Sequence, residues 1–364
     1  MQVLIVAFLV AFTITLWIVR LRHLHGRLTA DSTQGVQKFH VGSVPRVGGV
    51  GLLGGMVAAW MVLLARGSNE SSLMGMLLVA ALPAFLMGLA EDISKKVGAL
   101  PRLLATMVAA GLGAWWAGAV LPRLDVPGVD ALLGWGPAAT TFTVFAVAGV
   151  AHAVNIIDGF NGLASMVAAL MLAALGYVAY LVEDALVWNM TLAGMGALWG
   201  FWLWNYPRGL IFLGDGGAYL AGFWFAEAAV LLVARNPQVS PWFGLLVGLY
   251  PVFETVFSMY RRRVLQRRST GLPDALHLHS LIFRRLVRWA AGKEAARDLT
   301  RRNAATAPYL WCLAMVSIVP AVLFWRHTSV LVLFALAFIL FYIWAYQRIV
   351  RFRTRDFRPW KKRP

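Results

Sequence analysis

The sequence predicts an all-α fold: a polytopic integral membrane protein of about eleven transmembrane helices, with the N-terminus outside and the C-terminus cytoplasmic. Of its 364 residues, 60% are hydrophobic and only 13% are charged, and mean hydropathy is +0.70. A soluble domain is about a quarter charged. The apolar residues fall in runs close to the roughly twenty residues that cross a bilayer as a helix. The cations crowd between alternate runs, the pattern that keeps Lys and Arg on the cytoplasmic face.

In chain order the runs lie near 1–19, 48–65, 74–90, 103–120, 136–154, 164–182, 189–204, 218–234, 241–260, 307–325 and 329–347. The first has no basic segment before it and no convincing cleavage site, so it is expected to stay as a span rather than leave as a signal peptide. No long linker, low-complexity tract or internal repeat interrupts the series. Residues 1–347 therefore read as one membrane domain, and 348–364 as a basic cytoplasmic tail held to anionic lipid. Segments 20–47, 91–102, 205–217, 261–306 and the tail 348–364 hold 5, 3, 1, 12 and 8 Lys/Arg, which is 29 of the 33. The opposite face has only Arg66, Arg123, Arg235 and Arg326. Orientation thus accounts for the net charge of +17. Nucleic acid is not an expected partner, because no aromatic-basic module or soluble domain carries that charge. The single cysteine, Cys312, lies in an apolar run and excludes an intrachain disulfide or a Cys-rich metal site.

Polar residues cluster on the same face as the cations. The central stretch is Asn155-Ile-Ile-Asp158-Gly-Phe-Asn161-Gly162-Leu163, between the apolar runs Thr143–Val154 and Ala164–Val182. Asp, Asn and Gly are ordinary turn residues. Uncompensated polar groups at membrane depth are costly, however, and mark substrate or ion sites. Glycines also let backbone approach a ligand closely.

The other clusters follow the same logic. In the segment Gln37–Gly49, Lys38, His40 and Arg46 precede a helix opened by Gly48 and Gly49, which suits phosphate as well as plain anchoring. Glu91 and Asp92 are adjacent carboxylates that repel each other unless a cation or proton compensates. They can bind a divalent metal or act as a general base, or simply solvate a helix end. Asp215 is flanked by Gly214, Gly216 and Gly217, as an Mg2+ ligand beside a phosphate requires where room is short; the bland reading is a Gly-rich turn. His277 and His279, at i and i+2 after Arg261-Arg262-Arg263, share a face only in an extended chain. Phosphate recognition is a better reading of them than a two-His zinc site. Several acids, Gly-rich helix starts and many cations on one face are what a magnesium-dependent enzyme of phosphate-rich substrates needs.

In these residues the chain resembles the polyprenyl-phosphate N-acetylhexosamine-1-phosphate transferases, the WecA/MraY-like membrane enzymes of glycosyltransferase family 4. The likeness covers nearly the whole chain through five stretches in the family's order: Lys38–Gly49, Gly88–Asp92, Asn155–Leu163, Phe212–Gly217 and Pro251–His279. It implies transfer of a sugar-1-phosphate from a UDP-sugar to undecaprenyl phosphate, with release of UMP, as the initiating step of a cell-surface glycan. It further implies Mg2+ (Mn2+ as an alternative) and a site on the cytoplasmic side of the bacterial inner membrane. By resemblance Asp215 and Asp158 are metal ligands, and Asp92, Glu91, Asp158 and Lys38 are catalytic. Asn155, Asn161, His277, His279, Arg46 and His40 are substrate-binding. A homodimer is left open.

Three positions depart from the family pattern. The acidic pair, usually Asp-Asp, reads Glu91-Asp92; Glu254 stands where Asp is common; and Ser280 follows the histidines where many relatives carry a third. Ser280 and the eleventh span favour the WecA-like, surface-polysaccharide branch, with N-acetylglucosamine-1-phosphate as the expected cargo. The alternative is the branch that transfers phospho-MurNAc-pentapeptide. A membrane transporter, the rival from another class, would place its acids near the bilayer midplane. Of the acids considered, only Glu227 and Glu254 lie inside or near the end of a run.

Overall fold

A computed structural model describes residues 1–29, 44–267, 276–287 and 296–351. Lys38, His40, tail residues 352–364 and parts of segments 20–47 and 261–306 lie outside the described residues. The helices are α1 (Gln2–Arg20), α2 (Arg22–Thr29), α3 (Gly48–Ala65), α4 (Ser71–Ser94), α5 (Ala99–Ala117), α6 (Val129–Leu133), α7 (Gly136–Ile157), α8 (Leu163–Leu181), α9 (Ala185–Asn205), α10 (Gly214–Arg235), α11 (Pro241–Val247), α12 (Leu249–Tyr260), α13 (Leu278–Leu281), α14 (Ala296–Leu323) and α15 (Thr328–Arg351). Short π-helical turns, Arg261–Leu265 and Ile282–Val287, prolong α12 and α13.

Among the described residues eight helices are long and apolar enough to cross a membrane, and the pair α11–α12, bent by 72°, makes a ninth. The other two expected spans fall on α5 and α9, helices of 19 and 21 residues that do not reach that apolarity. The physical reason is local: α5 opens with Pro101 and Arg102, while α9 is rich in Trp, Gly and Asn and packs against α1, α3 and α8. The expected eleven spans thus become eight or nine by this measure.

The fold is built around α10, which is buried along nearly its whole length and apolar on most faces, as a helix enclosed by others must be. It packs against α3, α4, α7, α8 and α9. Small residues let these neighbours come close, the usual device where lipid removes the hydrophobic drive between helices. A Cβ on Gly49 would stand 2.4 Å from the Gly217 nitrogen, and one on Gly88 2.5 Å from the Gly216 nitrogen. The start of α10 is therefore wedged between the backbones of α3 and α4. In the same way α1 seats on α9, where a Cβ on Gly196 or Gly200 would meet the carbonyls of Leu4 and Phe8 at 2.3 and 2.4 Å.

Hydrogen bonds fix the loops at this end of the bundle. Gly48 and Gly49 N–H donate to the Phe212 and Leu213 carbonyls, both at 3.0 Å, and Phe212 N–H donates to the Pro45 carbonyl at 2.8 Å. The turn between α7 and α8 is tied just as firmly. Asn161 N–H donates to Asn303 Oδ1 at 2.8 Å, and Asn161 Nδ2 to the Pro207 carbonyl at 3.1 Å. Gly162 N–H donates to Asn205 Oδ1, whose Nδ2 donates to the Ile211 carbonyl at 2.7 Å. Segments far apart in sequence, before α3, α8 and α10, thereby share one end of the bundle.

Candidate active site

Asp92 lies on α4 four residues beyond Gly88, so the two face the same neighbour. Gly88 admits the backbone of α10 and Asp92 receives it. Asp92 Oδ1 accepts the Asp215 N–H at 2.9 Å, and Oδ2 accepts the Gly216 N–H at 3.0 Å. These are N–H groups that a helix leaves unpaired at its start. The side chain is 1% exposed, and its charge sits at the positive end of the α10 dipole, where an anion is stabilised. Gly214 begins this turn at φ +77°, and a Cβ there would lie 2.0 Å from the Arg46 carbonyl, so glycine alone fits.

The other charges surround this cap. Arg46 Nη2 is 3.1 Å from Asp215 Oδ1 and 3.5 Å from Asp92 Oδ1, while Arg102 of α5 pairs with the second Asp215 oxygen. Asp158, half-buried in the α7–α8 turn, accepts no hydrogen bond among the described residues. Burial pushes its carboxyl up to about 7, with Arg46 opposing and Asp215 adding to the rise.

Beyond that turn stand the histidines. His277 is extended just ahead of α13 and His279 is within it, and the rings stack 5.1 Å apart at 16°. His279 is buried, edge-on to Phe160 at 5.5 Å, with its Nε2 3.0 Å from where a Gly159 Cβ would be. It therefore abuts the backbone next to Asp158. His277 Nδ1 lies 2.9 Å from Glu254 Oε1, which also accepts the Leu278 N–H at 3.1 Å.

Six of the expected residues, Arg46, Asp92, Asp158, Asp215, His277 and His279, thus meet at one end of the bundle. Glu91 turns back on its own chain: its Oε2 accepts the Val97 N–H at 2.6 Å and closes the turn after α4. Asn161 serves the loop contacts described above, and its Oδ1 is buried with no hydrogen-bond partner among the described residues. Asn155 lies half-buried in the last turn of α7, its side chain unbonded among the described residues. Lys38 and His40 are outside the described residues. Arg102, Asn205 and Asn303 join the site's framework unannounced. By charge pattern Arg102 counts only as an orienting cation; the sign that it is more is its place inside the first turns of a helix rather than in a loop.

The donor set suits a small, hard divalent cation. Asp158 and Asp215 offer carboxylate oxygens, one of them without a hydrogen-bond partner among the described residues. Such an ion takes one or two carboxylates and fills its shell with water and substrate phosphates. Among the described residues no three Asp, Glu, His or Cys side chains converge on one point. The residues therefore fit a site completed by substrate, not an all-protein cage.

Residues 73–233 match the sequence profile of glycosyl transferase family 4, a stretch that holds Asp92, Arg102, Asp158 and Asp215. The chain is similar to the probable undecaprenyl-phosphate N-acetylglucosaminyl 1-phosphate transferase of Bacillus subtilis, 26% identical over 251 residues, 67% of this chain and 66% of that protein. It is similar to the undecaprenyl-phosphate alpha-N-acetylglucosaminyl 1-phosphate transferase of Thermotoga maritima, 26% identical over 253 residues, 70% and 72% of the two chains. It is also similar to the phospho-N-acetylmuramoyl-pentapeptide-transferase of Streptococcus thermophilus, 33% identical over 118 residues, 32% and 33% of the two chains. The aligned stretch thus spans just under two thirds of the Bacillus protein and a third of the Streptococcus protein.

Proposed function

We propose that this chain, whose residues 73–233 match the glycosyl transferase family 4 profile, transfers N-acetylglucosamine-1-phosphate, or a related N-acetylhexosamine-1-phosphate, from a UDP-sugar to undecaprenyl phosphate, releasing UMP. The observation that carries this reading is the start of α10, where Asp215 sits on a helix N-terminus between Arg46 and Arg102, with Asp158 near enough to feel both Arg46 and Asp215. Two relatives named for N-acetylglucosaminyl transfer align over about two thirds of the chain, which supports that donor over the muramoyl-pentapeptide. The site is taken to face the cytoplasm of the bacterial inner membrane, since most Lys/Arg lie on the side of these loops.

In this reading an oxygen of the lipid phosphate attacks the β-phosphorus of the UDP-sugar. The bond from that phosphorus to the bridging oxygen breaks, and the oxygen leaves with UMP. Bound by Asp215 and Asp158, Mg2+ or Mn2+ would neutralise charge on the diphosphate. The rest is positioning, which can supply much of a bimolecular barrier. Asp92 holds the first turn of α10 and keeps Asp215 in place. Arg46 and Arg102 present guanidinium groups to the phosphate oxygens, a geometry that Arg suits better than Lys. His277 and His279 form the far wall, beside the donor's phosphates, and Glu91 shapes the turn that leads to Arg102.

The test is UMP release by purified protein given undecaprenyl phosphate, Mg2+ and a panel of UDP-sugars. Lipid-dependent release that Asp215→Asn or a chelator abolishes supports the reading and names the donor. Folded protein that turns over no donor refutes it. A phospho-sugar trapped on an acidic side chain would overturn direct attack.

A further inference from the structure

Two helices that carry none of the clustered acids hold the histidines. Glu254 and Arg261 lie seven residues apart along α12 and its π-helical extension, on one side of that rod. Tyr342 and Tyr346 lie four apart on α15, hence also on one side. They meet in two rungs. In the first, Tyr342 Oη donates to Glu254 Oε2 at 2.5 Å, and the other carboxylate oxygen holds the His277 ring and the Leu278 N–H. In the second, Arg261 Nη1 donates to the Leu276 carbonyl and to Tyr346 Oη, both at 2.6 Å. Tyr346 Oη donates to the same carbonyl at 3.1 Å, and the Arg261 guanidinium lies 5.5 Å from the Tyr346 ring centroid. The rungs grip the chain on both sides of His277 and the ring itself.

All four side chains are buried. A buried carboxylate or guanidinium is costly unless hydrogen-bonded, so the rungs have few low-energy alternatives.

We infer that Tyr342 and Tyr346 of the last helix are positioning residues for the transfer reaction, setting the histidine pair through Glu254 and Arg261. This rests on the reading that His277 and His279 serve the donor's phosphates. Tyr342→Phe and Tyr346→Phe keep the packed rings and delete only the hydroxyls. In each variant, amide hydrogen exchange of a peptide covering 276–287 should quicken while peptides of α10 keep the wild-type rate. With UDP-N-acetylglucosamine and undecaprenyl phosphate, each should lower kcat/KM for the nucleotide-sugar about tenfold, as expected for one hydrogen bond to a charged group, and leave KM for the lipid unchanged. In a His277→Asn background, Tyr342→Phe should cost clearly less than it does in wild type, because one of the two routes from Glu254, the one through the histidine ring, is already cut.

Unchanged exchange overturns the clamp, whether or not the protein proves to be an active transferase. Quicker exchange with wild-type donor kinetics overturns the positioning role, as does equal loss on both substrates or a fully additive double variant. A wild type that turns over no donor refutes the transferase reading and the positioning role with it; the exchange measurement still decides whether the clamp exists.

Discussion

Two aspartates meet at the start of α10, and replacing each by asparagine should separate their tasks. Asp92 uses one oxygen for the Asp215 N–H and the other for the Gly216 N–H. An amide has one oxygen, so in Asp92→Asn one of those N–H groups faces an NH2 donor in a site that is 1% exposed. Losing a hydrogen bond to a charged group costs about 1.5–3 kcal/mol, and stranding a buried donor costs about 1–3 kcal/mol; since the two overlap, about 3 kcal/mol is expected. Asp215→Asn loses its pairing with Arg46 and Arg102, but those guanidiniums are 23% and 20% exposed and can turn to water, so roughly 1 kcal/mol is expected. Thermal unfolding of both variants in the same detergent, beside UMP release, reads the difference. Both should be inactive, and only Asp92→Asn should unfold well below wild type. Asp92→Asn with wild-type stability, or Asp215→Asn equally unstable, would refute the division between a structural and a ligand carboxylate.

Gly88→Ala should push α10 away, since the new Cβ would meet Gly216 backbone at 2.5 and 2.6 Å; a loss of about 1–3 kcal/mol and of UMP release is expected. Gly111→Ala, where a Cβ meets nothing within 4 Å, is the control that keeps both. Removing divalent metal with a chelator should abolish UMP release, and added Mg2+ should restore it; release that persists after exhaustive chelation would argue against the cation. At the far end of the bundle, burial raises the Asp125 carboxyl, but the Thr328 hydroxyl and the Arg123 guanidinium outweigh it and hold the group below its ordinary 3.8. A lowered folded value contributes stability that is present above 3.8 and is lost as pH falls through the folded value. The melting-temperature advantage of wild type over Asp125→Asn should therefore be level above 3.8 and shrink below it; an advantage that grows with acid would contradict the pairing. Asn205→Ala strands the Gly162 N–H and the Ile211 carbonyl and should lower the unfolding temperature, by an amount that corresponds to about 2–3 kcal/mol.

The class of the fold was open to reading from the chain alone, because hydropathy and charge act locally: a run of apolar residues is a helix in lipid wherever it packs. Local pattern also picked out Asp158, Asp215 and the histidines, since a carboxylate among glycines at a membrane boundary is conspicuous without any partner in view. It could not assign tasks. Glu91 and Asp92 are neighbours in sequence, yet one closes a turn on Val97 and the other caps a helix more than a hundred residues away. Asn161 reads as a ligand in the sequence; that its N–H and Nδ2 also tie loops together shows only once α14 and the chain after α9 bring Asn303 and Pro207 to it. Arg102 passed for an orienting cation until α5 brought it to Asp215. The rungs from α15 to Glu254 and Arg261 join residues 88 and 85 positions apart. Periodicity and composition decide what a segment is. Which of its polar atoms remain available for chemistry is decided by the distant backbone that packing delivers to them, and only the tertiary structure holds that information.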